Sequence, residues 1–231
     1  MTFWEYRRRT ECNPLIQAVI TGVQMIKTKS KTREYIESIL IAVIIALFVR
    51  SVFIQAYKIP SGSMEPTLLV GDHLLVNRLS YVVKVPYFDN VIYTLGKPKR
   101  GDIIVFRYPK DISVDFIKRV IATEGDIVEV KDKVIYINGT KMTDPWGHYQ
   151  NMPPIPRNFS PKDNYGPYTV PKDACFAMGD NRDNSADSRF WGPVMKEHLV
   201  GKALILYFSW NTNTKDPFEY IRWSRIGQLI K

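Results

Sequence analysis

The stretch DFIKRVIATEGDIVEVKDKVIYING, residues 115–139, decides the fold. Three short runs in it, Phe116–Ala122, Ile127–Val130 and Val134–Ile137, are rich in β-branched and aromatic residues. Gly125-Asp126 and Asn138-Gly139 punctuate them. Runs this short between turn residues predict strands, and Asn-Gly inside VIYINGTKM predicts a two-residue hairpin turn. The signature recurs outward in both directions, at His73–Asn77 after Gly71-Asp72, at Asp102–Phe106 after Gly101, and at Ala203–Phe208. The pattern predicts a mainly β, antiparallel domain and argues against alternating βαβ units. Residues 144–168, rich in Pro, Asn, Gly and Tyr, read as an extended loop. No internal repeat is visible.

Upstream the pattern changes. Ile39–Val49 (ILIAVIIALFV) is uninterrupted apolar sequence, and Ser51–Ile54 extends it past Arg50. Taken as residues 36–56 it gives ~31 Å of helix, enough to cross a ~30 Å hydrocarbon core. Arg50 lies near the end, where its long stem reaches the interface. A buried helix of a soluble protein is the competing reading. A cleavable leader is disfavoured, because the run is long and Ile-Gln-Ala-Tyr-Lys offers no clean small-x-small site. Lys27, Lys29, Lys31 and Arg33 precede the run and only Lys58 closely follows it. That asymmetry predicts a cytoplasmic N-terminus and an extracytoplasmic domain at 57–231. Residues 1–35 read as a basic cytoplasmic segment. Its uncharged part, Pro14–Ile26, would span only ~20 Å as a helix and suits an interfacial position better than a second crossing.

The formal net charge is +9 over 231 residues. No basic stripe interleaved with aromatics accompanies it, so no nucleic-acid partner is expected. Cys12 and Cys175 form no CxxC pair, and His73, His148 and His198 form no HExxH arrangement. Neither a metal nor any other cofactor is therefore expected.

Four segments carry candidate chemistry. PSGSMEPT, residues 60–67, places two serines around a glycine between prolines, a turn able to hold a hydroxyl in one orientation. A Ser/Gly linker would account for it as well. In Asp115–Val120, strand alternation puts Phe116, Lys118, Val120 and Ala122 on one face, with Arg119 pointing away. A lysine buried there without a counterion has its pKa pushed down and can take a proton from serine. A lysine at a strand edge, reaching water by its stem, fits the same letters. Residues 178–192, MGDNRDNSADSRFWG, read as a packed polar loop; Asp180, Asp183 and Asp187 lack the spacing of an EF-hand. The fourth, RGDIIVF at 100–106, is structural on its own terms.

PSGSMEPTL, RGDIIVF, FIKRVIATEGD and MGDNRDNSADSRFWGPV, in that order behind an apolar segment, resemble the boxes of bacterial type I signal peptidases. The resemblance covers most of residues 36–131 and 171–208; residues 132–170 look like a variable insertion. It implies a signal-peptidase/LexA-like β fold behind a transmembrane helix. It implies a Ser–Lys serine endopeptidase that removes signal peptides from exported preproteins after small residues of the Ala-x-Ala type. Ser63 matches the nucleophile and Lys118 the general base. Ser61 matches an oxyanion-hole hydroxyl acting with the Ser63 N–H, and Ser185 the hydroxyl that orients the lysine. Asp187 with Arg189, and Asp180 with Arg119, match supporting pairs. A His in place of Lys118 would mark the endoplasmic-reticulum branch; this chain has Lys. The implied setting is the bacterial cytoplasmic (inner) membrane, single-pass, with the domain on the outer, periplasmic side, in contact with lipid and monomeric. Self-cleaving repressors of the LexA type share this chemistry but carry a helix-turn-helix domain where this chain has residues 1–56. A non-catalytic membrane-tethered β module is the remaining alternative.

Overall fold

The computed structural model describes residues 30–84, 91–211, 214, 216 and 219–230. Most of the basic N-terminal segment, with Cys12 and Pro14–Ile26, lies outside the described residues. The chain separates into two compact units between Phe48 and Val49.

Helix α1 covers Lys31–Val52. Its apolar side chains, Ile39 through Val49, are exposed on all sides. Among the described residues no helix is long and apolar enough to cross a membrane. Lys31, Arg33, Glu34 and Glu37 occupy the first turns of α1 and Arg50 the last, which shortens its uncharged run to Ser38–Val49. The expected apolar segment 36–56 is also cut at its far end. Ile54–Lys58 is not helix but a strand, β1, paired from Ile54↔Asn77 to Lys58↔His73 with β2 (Asp72–Asn77). Gln55 and Tyr57 lie half-buried between exposed neighbours, so period two replaces period 3.6 at this point.

The second unit is mainly antiparallel β. Its strands after β2 are β3 (Val82–Lys84), β4 (Val91–Thr94), β5 (Ile103–Tyr108), β6 (Asp111–Thr123), β7 (Ile127–Lys131), β8 (Val134–Ile137), β9 (Thr140–Lys141), β10 (Tyr165–Thr169), β11 (Ala174–Met178), β12 (Val194–Met195) and β13 (Leu199–Ser209). A seven-stranded sheet runs β1-β2-β13-β5-β6-β11-β12, and a four-stranded sheet runs β10-β7-β8-β9. The predicted hairpin forms at β8–β9, where Ile137 pairs with Thr140. Asn138 and Gly139 take φ of 53° and 79°, the positive values that this turn needs.

Central strand β5 is buried on both faces. Ile103 and Val105 pack with Ile59, Met64, Leu68, Leu74, Val76, Ala203 and Leu206. Ile104 and Phe106 pack with Val120, Ala177 and Leu199. A third cluster joins the two sheets, with Val128, Val130, Ile135 and Ile137 against Ile121, Phe176 and Met178. Strand β6 bridges the clusters, exposed from Asp111 to Asp115 and buried from Lys118 to Ala122.

Candidate active site

The site is built where β1 leaves the sheet. Pro60-Ser61 runs extended into one 3₁₀ turn, Gly62–Met64. Met64 and Leu68 are fully buried in the first core cluster, so the turn is plugged into the core on both sides of its exposed rim. Ser63, next to Met64, stays half-buried. Lys118 on β6 donates from Nζ to Ser63 Oγ at 2.5 Å. Its side chain is 4% exposed, and its ammonium lies 5.5 Å from the Phe116 ring centre. The strand-edge alternative for Lys118 therefore fails: the strand is buried on both faces here. Burial pushes the Lys118 amine down to about 8, against the opposing pull of Asp187 and Asp180. No carboxylate forms an ion pair with Lys118 among the described residues, so desolvation wins.

Arg119, on the opposite face, is buried completely. It binds Asp180 through Nε and Nη2 at 2.8 and 2.7 Å, donates from Nη1 to Gly101 O, and stacks on Trp146. Asp180 also accepts from the Thr67 hydroxyl at 2.6 Å, which ties the far end of the Ser63 turn to this pair. Arg189 grips Asp187 through Nε and Nη2, both at 2.8 Å, and donates to the Lys162 and Arg182 carbonyls. Burial raises the Asp187 carboxyl, but Arg189 and the Gly179 N–H outweigh it and hold it below the usual carboxylate range.

Ser61 is exposed at the entry to the turn, and its side chain makes no cap. Ser185 is buried, and its hydroxyl lies beside the Asp187 carboxylate, whose charge it helps to stabilise, without a well-formed hydrogen bond. The structure thus brings Ser63 and Lys118 into contact and forms both expected Asp–Arg pairs. It does not join Ser185 to the lysine amine.

Several positioning residues escaped the sequence reading. Asn181 donates its backbone N–H to Ser63 O and its amide to Gly62 O, both at 3.1 Å, stapling the turn to the polar loop. Gly179 passes so close that a Cβ there would stand 2.4 Å from Ser63 O and 2.3 Å from Ser185 Oγ. A third buried arginine, Arg182, pairs with Asp144 and donates to Gly179 O. Lys133 and Lys162 hold Asp183. Residues 132–170 therefore prop the polar loop from outside. No short-range pattern flags the contacts of Asn181 with the Ser63 turn, of Arg182 with Asp144 or of Lys133 with Asp183, because their partners lie tens of residues away. Arg225 likewise ties the C-terminal segment to the stretch after the Ser63 turn, donating to Thr67 O at 2.8 Å and to the buried Asp72 at 2.6 Å.

Among the described residues no group of His, Cys, Asp and Glu could hold a metal. Cys175 is buried, and burial pushes its thiol up to about 12. A serine hydroxyl touching a desolvated amine can carry out nucleophilic attack with a general base.

The family model described as signal peptidase, peptidase S26, matches residues 32–210. Signal peptidase I of Pseudomonas fluorescens is 38% identical over 77% of this chain and 72% of its own. Signal peptidase I of Aquifex aeolicus is 34% identical over 86% of this chain and 93% of its own. A crystal structure of a signal peptidase I from Enterococcus faecalis is 30% identical, covering 46% of this chain and 97% of that one, with a TM-score of 0.37.

Proposed function

The chain belongs to the signal peptidase family, peptidase S26, as a serine endopeptidase of the signal peptidase I type, and from that premise we propose that Ser63 and Lys118 cut signal peptides from exported preproteins as a catalytic dyad. The single observation that carries this reading is the 2.5 Å contact between a buried lysine amine and the Ser63 hydroxyl. Neutral Lys118 takes the Ser63 proton as Oγ attacks the scissile carbonyl. The Ser63 N–H and the Ser61 hydroxyl receive the oxyanion, each such donor being worth ~3 kcal/mol. The Lys118 ammonium then protonates the leaving amine, and the regenerated base activates the water that releases the acyl group. The buried Ser185 hydroxyl, beside Asp187, is the acceptor that orients Lys118 while it carries the proton. Asp180–Arg119, with Thr67, ties the Ser63 turn to β6, and Asp187–Arg189 braces the polar loop, without neutralising the dyad.

The substrate lies extended. Among the described residues, residues 111–118 of β6 pair with β5 alone, since β11 begins its pairing at Arg119. That open edge runs up to the base, where a peptide can add as a strand. Small residues before the scissile bond, of the Ala-x-Ala type, are the expected occupants of that edge.

We further read α1 and its flanks as the membrane anchor, with the N-terminus cytoplasmic, a monomer in contact with lipid, and the β domain on the outer face. Its support is the girdle of exposed apolar side chains from Ile39 to Val49, which water does not stabilise.

The test is cleavage of a purified preprotein, with the new N-terminus sequenced. Ser63→Ala and Lys118→Met should each lower the rate by at least ~10³-fold while circular dichroism stays unchanged. Cleavage retained by Ser63→Ala would sink the nucleophile assignment.

A further inference from the structure

Ser63 sits in a loop with a tied neck. At its two ends the Ile59 N–H donates to Asp72 O at 2.8 Å and the Gly71 N–H to Ile59 O at 3.0 Å. The neck is in turn fixed to the end of β13, where the Trp210 N–H donates to Gly71 O at 2.8 Å. Between plug and neck lies the limb from Glu65 to Val70, which follows the nucleophile directly. How this limb is held decides where Ser63 stands relative to Lys118.

Two arginines of the C-terminal segment reach the loop, at different points. Arg225 ends a 3₁₀ turn, Trp223–Arg225. Its Nη2 donates to Thr67 O at 2.8 Å and to Asp72 Oδ2 at 2.6 Å, and its Nε to Asp72 Oδ1 at 3.1 Å. Asp72 is fully buried and also accepts from the Leu69 N–H and the Ser209 hydroxyl. One guanidinium therefore spans the neck and the limb. Thr67 passes the constraint on. Its hydroxyl donates to Asp180 Oδ2 at 2.6 Å, and Asp180 is gripped by Arg119, the residue after Lys118 on β6. Arg222 stands 3.6 Å from Asp72 and donates to Val70 O and the Ser209 hydroxyl. Its hydrogen bonds among the described residues bypass Thr67.

We propose that Arg225 is a positioning residue for the cleavage reaction, which acts through the Thr67 carbonyl to set the Ser63 turn at attacking distance from Lys118. Charge alone does not do this. A planar guanidinium meets the carboxylate with two donors and the carbonyl with a further hydrogen, which fixes one orientation. A lysine ammonium on a flexible stem fixes no such plane. The 2.5 Å contact between Lys118 and Ser63 leaves little slack. A misplacement of about 1 Å, introduced far from the chemistry, costs on the order of a hundredfold in rate. The inference rests on the Ser63–Lys118 reading, since that makes this turn the one to be placed.

The experiment measures kcat and KM on a purified preprotein for the full chain and its Arg225→Lys, Arg225→Ala and Arg222→Ala variants. All are assayed below their melting temperatures, with circular dichroism on each. Arg225→Lys, which keeps a cation beside Asp72, should lower kcat about tenfold and Arg225→Ala about a hundredfold, with KM held within about twofold. Arg222→Ala should lower Tm and keep the wild-type kcat. Thr67→Val added to Arg225→Lys should lower kcat by less than the product of the two single effects, because both act on one turn. A purely structural role lowers Tm and leaves the kcat of the folded enzyme untouched. If Arg225→Ala does not fold, Arg225→Lys decides. Wild-type kcat in the folded Arg225 variants overturns the proposal. So does an equal fall of kcat in Arg222→Ala, or loss of the fold in both Arg225 variants. Failure of the dyad reading shows separately, as cleavage surviving Ser63→Ala.

Discussion

Lys118 shows how one residue sets both activity and stability. Its amine is down to about 8, first through desolvation. Cleavage by neutral lysine should rise with pH up to that value and then level; kcat/KM measured from pH 5 to 10 checks it, and a flat profile would exclude a neutral-lysine base. The stability sign is opposite to that of an ion-paired lysine. Between about 8 and 10.5 the unfolded chain binds the proton that the folded chain has lost, so stability rises with pH through that window. At neutral pH the burial costs ~3 kcal/mol. Lys118→Met, of similar length and apolar, should therefore be inactive yet more stable by up to ~3 kcal/mol at pH 7, with the gain fading above pH 8. Urea titrations at several pH values measure it. The phase of the strand made Lys118 a burial candidate in advance. It did not show that Arg119, on the other face, is buried too, because alternation distinguishes faces and says nothing of what covers each.

At the scale of elements, the turn at Ser63 and the loop from Gly179 to Arg189 form one unit. Asn181 staples them, and Gly179 leaves no room between them. Gly179→Ala would drive a methyl into the Ser63 carbonyl, and backbone cannot yield as a flexible side-chain tip does. The expected result is a fall in kcat of about a hundredfold or more with the fold retained, read by steady-state kinetics beside circular dichroism. Three buried arginines, Arg182 and Arg189 in the loop and Arg119 on β6 beside it, are tolerated because each is paired, with Asp144, Asp187 and Asp180 respectively. Removing one partner of such a pair typically costs ~3–5 kcal/mol, because the other charge is left buried. The sequence showed a dense polar loop and matched two of these pairs through family resemblance. It did not reveal Asp144, 38 residues from its partner Arg182. Nor did it place the boundary after Val52, where the apolar letters Phe53 and Ile54 suit a helix and a strand equally and only pairing with β2 decides.

For the whole molecule, the anchor reading predicts that the full chain sediments with membranes and resists carbonate extraction. A chain starting after Val52 should lose that resistance; extraction of the full chain by carbonate would refute the anchor. The strand runs, the Asn138-Gly139 turn and the ordered motifs were legible in the sequence, because they express local backbone preference and local burial. Only the tertiary structure decided that Ser63 meets Lys118 across 55 residues of chain, that Tyr57 reaches Asp115 across three intervening strands, and that Ser185 makes no hydrogen bond to the lysine amine. Periodicity reports which face of a strand is covered; the curl of a sheet and the packing of Met64 and Leu68 into its core determine which faces meet.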